Sequence, residues 1–151
     1  MNLQVLGALL LPVWGWLMGA AVQARTAAHL AALRQTVQLL QRMGQEIAFR
    51  RVDLQQLYGQ LCREGLVAPG SPSLQALPPP EALAPAEQQC FRACFSGLGY
   101  TEAAQECQRL DYYITRFQAL LQQAEEAARR QAGLPCRLGL AAGAVLALMI
   151  L

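Results

Sequence analysis

The chain is 151 residues long with a net charge of +2, and all twelve of its basic residues are Arg. These mix with ten acidic residues between positions 25 and 137 and form no basic stripe, which argues against nucleic-acid binding through phosphate neutralisation. A single His, no Lys and no Gly-rich loop ending in Gly-Lys-Ser or Gly-Lys-Thr remove most routes to catalysis. Five cysteines, an odd number with no Cys-x-x-Cys pair, do not form the disulfide framework of a small secreted domain and fit a reducing compartment.

Residues 3–22 hold Gln4 as the only clearly polar side chain, and twenty helical residues reach about 30 Å, the thickness of a bilayer core. The expectation is an N-terminal transmembrane segment over residues 1–24. The small residues of Val22-Gln23-Ala24 leave an alternative, a secreted or surface helical protein released after residue 24. Met1 and Asn2 lack the basic residues of a signal peptide and speak against it.

Residues 25–135 read as a cytoplasmic helical domain. Leu33, Val37, Leu40, Gly44 and Ile47 recur at alternating spacings of four and three, so an amphipathic helix runs on from the first segment. Asp53 is the expected N-cap of a second, short helix carrying Leu54, Leu57, Tyr58 and Leu61, and Gly65 is its expected stop. Residues 65–85 hold six of the eight prolines, including Pro78-Pro79-Pro80, and predict a loop. A connection of that length reads either as a mobile excursion between helical hairpins or as a partner-binding segment.

A short helix over 86–96 with Cys90, Phe91, Cys94 and Phe95 on its apolar side follows, ended by Gly97 and Gly99. Thr101 is the expected cap of a long helix on which Ala103, Cys107, Leu110, Ile114, Phe117, Leu121, Ala124 and Ala128 keep spacings of four and three. This predicts antiparallel packing on the first long helix. Gly133 and Pro135 end it, and residues 138–151 form a fourteen-residue apolar run of about 21 Å. Arg137 can snorkel to extend its reach, which predicts a C-terminal transmembrane segment over 136–151, a buried core helix being the alternative.

The fold class expected is therefore all-α, an antiparallel helical bundle flanked by an N-terminal and a C-terminal transmembrane helix. Gly15-x-x-x-Gly19 and Gly139-x-x-x-Gly143 are small-xxx-small patterns that let apolar helices pack closely, on each other or on partners. Arg25, Arg34, Arg129, Arg130 and Arg137 all lie on the inner sides of the two apolar segments, which predicts that the middle domain is cytoplasmic and both ends face outward.

His29 has no carboxylate or cysteine partner nearby in sequence and reads as solvent-facing. Cys62, Cys90, Cys94 and Cys107 could supply a tetrahedral zinc site, the third alternative, a small cysteine-based metal-binding protein. They fall at apolar helical positions, where free Cys behaves as a small hydrophobe, so no metal and no other cofactor is expected.

Leu6-Gly7-Ala8, Leu39-Leu40, Glu46-Ile47-Ala48-Phe49 with Leu54, then Phe95, Leu98-Gly99, Gln105, Ala124-Glu125 and Leu138-Gly139 with Gly143, taken in order, resemble the stage III sporulation protein AB family. The resemblance covers nearly the whole chain. The family's turn reads Glu-Ile-x-Tyr-x-x-Thr-Pro-Leu, where this chain has Phe49 for Tyr and Val52-Asp53 for Thr-Pro. Before the last segment the family has Ser-Leu-Gly and this chain Arg137-Leu138-Gly139.

The resemblance implies a non-enzymatic membrane component of a secretion-like channel complex between mother cell and forespore. Its cytoplasmic domain would be similar to the F-type platform proteins of type II secretion. It would dock a sporulation ATPase of the stage III sporulation protein AA type, beside other membrane components of that complex. On that reading the contact surface is expected at Arg42, Glu46, Arg109 and Arg116, as exposed polar positions of the long helices.

Overall fold

The Ala-, Leu- and Gln-rich stretch from the first apolar segment onward contains no strong helix breaker after Pro12. The computed structural model describes residues 3–50, 53–132 and 134–150, and there this stretch forms one helix, α1, Leu3–Arg50. Four further α-helices follow: α2 Leu54–Arg63, α3 Pro85–Ser96, α4 Ala103–Gln131 and α5 Leu134–Ile150. A single 3-10 turn, Leu74–Ala76, sits in the Pro-rich connection, and no strand occurs among the described residues. The fold is all-α.

Two units divide the chain. The first comprises residues 1–28 and 124–151, the second residues 29–123. The core of the second unit draws Leu33, Val37, Leu40, Met43 and Ile47 from α1, Leu57 and Leu61 from α2, and Phe91, Cys94 and Phe95 from α3. Leu110 and Phe117 come from α4. Of the predicted face of α1, Leu33, Val37, Leu40 and Ile47 are buried and Gly44 is half-buried, and Thr36, Leu39 and Met43 widen it, because a second layer covers that side of the helix. On α4 the predicted stripe is only partly enclosed: Leu110 and Phe117 are fully buried, Cys107, Ile114 and Leu121 half-buried, and Ala103 exposed.

The second layer on α1 is the Pro-rich connection. Instead of a mobile excursion, residues 65–85 lie on the bundle, with Val67, Leu74 and Leu83 buried. Leu66, Val67 and Pro78-Pro79-Pro80 enclose a cavity of about 400 Å³ with Thr36 and Leu39 of α1 and Phe91 of α3. Scattered Leu and Val supply the apolar area that proline alone would not, so the segment packs without regular hydrogen bonding.

Local chemistry sets the helix ends. Gly65 takes φ +76 after α2, with its N–H on the Cys62 carbonyl at 3.2 Å and the Leu66 N–H on the Leu61 carbonyl at 3.1 Å, a Schellman closure that needs a left-handed residue. Asp53 stands at the N-cap of α2 with extended backbone, yet its side chain makes no capping bond. Thr101 does not cap α4 either; its hydroxyl donates to a Glu106 carboxylate oxygen at 2.7 Å.

In the first unit, the N-terminal part of α1 lies antiparallel to α5. A Cβ on Gly15 would come within 2.8 Å of the Gly139 carbonyl oxygen, one on Gly139 within 2.6 Å of the Gly15 oxygen, and one on Gly143 within 2.9 Å of the Pro12 Cα. Gly19 is buried. Among the described residues no helix is long and apolar enough to cross a membrane. Of the expected spans 1–24 and 136–151, residues 1, 2 and 151 lie outside the described residues.

Candidate partner interface

The four positions expected to form an exposed polar surface take up different roles. Glu46 is buried, with its side chain 6% exposed, and pairs with Arg42 at 2.9 Å and with Arg50 at 3.8 Å. The expectation of exposure fails there because Glu46 follows directly on the buried side of α1, and the two Arg side chains one turn away compensate its charge. Arg42 continues to Glu64, donating from Nη2 at 2.8 Å and from Nε at 3.1 Å. The bidentate bond raises the Arg42 pKa and lowers that of Glu64. This clamp ties the end of α2 to α1, so Arg42 is already engaged within the molecule.

Arg109 is likewise internal. Its Nη2 donates to the Cys94 carbonyl at 2.6 Å, its guanidinium lies in contact with Gly97, and Glu106 approaches its Nε at 3.6 Å. A cation on one of the last carbonyls of α3 complements the negative end of that helix. The guanidinium also faces the Tyr113 ring, 5.9 Å from its centroid. Arg116 is exposed, with its Nη1 3.5 Å from the Tyr112 hydroxyl. Of the four, only Arg116 has the exposed position expected of it and no charged partner drawn to it.

His29 is not solvent-facing. Its Nε2 lies 2.8 Å from Glu87 Oε2, which also accepts the Ala84 N–H at 3.0 Å at the start of α3. The partner is 58 residues away, and no local spacing announces it.

The cysteines do not converge. Among the described residues no group of three or more His, Cys, Asp or Glu could hold a metal ion, and Cys62, Cys90, Cys94 and Cys107 are free. Cys136 lies among side chains outside the described set. Burial pushes the Cys94 thiol up to about 12, with Arg109 opposing it, and raises that of Cys90 against the pull of Arg116. Both thiols stay protonated at neutral pH.

A surface recess lies where α1 ends, α2 begins and α3 turns into α4. Ile47, Leu54, Leu98, Gly99 and Ala104, with the polar Thr101, Glu102 and Glu106, line an open cavity of about 480 Å³ there. Phe49 and Tyr100, sequence neighbours of that lining, are 85% and 77% exposed. Gly99 permits the shape: φ is +87, and a Cβ would lie 2.7 Å from Leu54 Cδ1. The Gln75 amide of the Pro-rich connection bonds the Leu98 carbonyl and holds the turn. Exposed aromatic side chains near a recess are features that protein interfaces use. Charge gives no pointer to this surface; the exposed aromatic residues and the Gly97-Leu98-Gly99 turn are the signals that the sequence carries.

The architecture defines an all-α protein in which a helical bundle and a glycine-packed pair of apolar helices share α1 and residues 103–131. The chain belongs to the stage III sporulation protein AB family, whose family model matches residues 72–151, more than half of its length. The match takes in α3, α4 and α5, including Phe95, Leu98-Gly99 and Gly139 with Gly143, whereas the resemblances at 6–8 and 39–54 fall outside it. No curated protein and no solved structure matches the chain.

Proposed function

We propose that this protein is a non-catalytic membrane component of the stage III sporulation machinery acting between mother cell and forespore. The glycine-packed helix pair sits in the mother-cell membrane, and the helical bundle lies in the cytoplasm. The bundle docks an ATPase of the stage III sporulation protein AA type, beside other membrane components of a secretion-like channel complex. Membership of the stage III sporulation protein AB family is the observation that carries this reading.

Two features support it. The first unit exposes Leu10, Trp14, Trp16, Leu17, Met18, Leu138, Leu140, Val145, Leu148 and Met149, an apolar surface that water disfavours and lipid accepts. The second unit offers the exposed Phe49 and Tyr100, sequence neighbours of a recess of mixed lining, with Arg116 and the exposed Tyr112 as a further polar-aromatic patch on α4. Docking through packed contacts needs no reactive group, in keeping with an adaptor.

Sidedness tests it. A protease recognition sequence inserted between the exposed residues Pro69 and Gly70 should be cut by added protease only after protoplasts are lysed. Cleavage in intact protoplasts would put the bundle outside and overturn docking to a cytoplasmic ATPase.

A further inference from the structure

We propose that the boundary between hydrocarbon and headgroups crosses the first unit at the level of Trp14, Trp16 and Arg137, not at Arg25; this rests on the membrane reading above. The register of the helix pair carries the argument. Gly15 meets Gly139 and Pro12 meets Gly143, so three residues back along α1 correspond to four residues onward along α5. Extending the register puts Leu17 opposite Arg137 and Trp16 opposite Leu138, so Trp16 and Arg137 differ by about 1.5 Å in height.

A boundary at Arg25 would bury the exposed Arg137 eight residues deeper, about 12 Å into hydrocarbon. An Arg stem does not bridge that distance by snorkelling. The same placement would carry both indoles about 13 to 17 Å down, although Trp favours the headgroup level where its N–H finds partners. Trp14 and Trp16 are 65% and 54% exposed, so neither N–H is occupied within a protein core. With the boundary at their level, all three polar groups reach the interface. Residues 17–22, about 9 Å of helix, then cross the headgroup layer, and Arg25, Arg129 and Arg130 stand beyond it.

Trp14 and Trp16 are the chain's only two Trp residues, so its own fluorescence reports their depth without substitution. The full-length protein is reconstituted in phosphatidylcholine vesicles brominated either at the 6,7 or at the 11,12 acyl positions. The inference expects the shallow bromines to quench at least about twofold more strongly than the deep ones. Stronger quenching by the deep bromines would overturn the boundary while keeping the protein in the membrane. Quenching by neither would overturn the membrane reading as well. Arg137→Leu, which frees the level to sink, should shift the quenching ratio toward the deep bromines; an unchanged ratio would show that Arg137 does not set the depth.

Discussion

Phe117 and Leu110 are fully buried on α4, so truncation there leaves a cavity that close-packed neighbours fill only in part. Phe117→Ala should lower unfolding free energy by about 3–5 kcal/mol in urea titrations of the purified protein. Leu110→Asp should prevent folding, because it places an unpaired charge in the core. A normally stable Leu110→Asp protein would mean the α4 face is wrongly assigned.

Cys94 supplies a second test at this scale. Its thiol ionises near the ordinary value of 9.0 when unfolded and only near 12 when folded, so the unfolded form loses the proton first as pH rises. Stability should therefore fall above about pH 9, and Cys94→Ala should flatten that fall in pH-dependent denaturation. Periodicity made Leu110, Phe117 and the buried half of α1 legible in the sequence. It could not disclose the pairing of His29, whose partner Glu87 is brought to it only by helix packing, nor the burial of Glu46 and Glu106, although their partners Arg42, Arg50 and Thr101 lie within five residues of them. The apolar surroundings of Cys90 and Cys94 were legible, since both sit on the stripe that Phe91 and Phe95 define.

The pairing of α1 with α5 depends on residues without side chains. Gly139→Val should open it, since even a Cβ would stand 2.6 Å from the Gly15 carbonyl oxygen, a rigid backbone atom. Hydrogen exchange over 134–150 in detergent should speed up in Gly139→Val and not in Gly7→Ala, whose new Cβ meets nothing within 4 Å. Unchanged exchange in Gly139→Val would contradict the pairing.

Helix order could be read from the spacing of apolar residues and from Gly65 and Gly97 as punctuation, whereas Pro135, expected as a breaker, lies within the first turn of α5. The Pro-rich connection was readable as irregular but not as packed, because Val67, Leu74 and Leu83 show no period. Its bond from Gln75 to the Leu98 carbonyl joins residues 23 apart, beyond any local rule.

At the scale of the whole molecule, the surface we propose for docking is led by the exposed aromatic residues Phe49 and Tyr100. Arg42, paired with Glu46, ties α1 to the end of α2, and Arg109 ties α4 to α3, so their replacement acts on the fold before it acts on a partner. Phe49 and Tyr100 contribute little to the core, being exposed, so their loss separates binding from folding.

Co-purification of the sporulation ATPase with this protein from sporulating cells, comparing the native chain with Phe49→Ala/Tyr100→Ala, tests the docking account most directly. The account predicts that the native chain retains the ATPase. It predicts that the double variant loses at least about tenfold of it, with an unaltered helical spectrum and membrane content. Equal recovery with both chains would move the contact away from this end of the bundle, and no recovery with the native chain would contradict docking altogether.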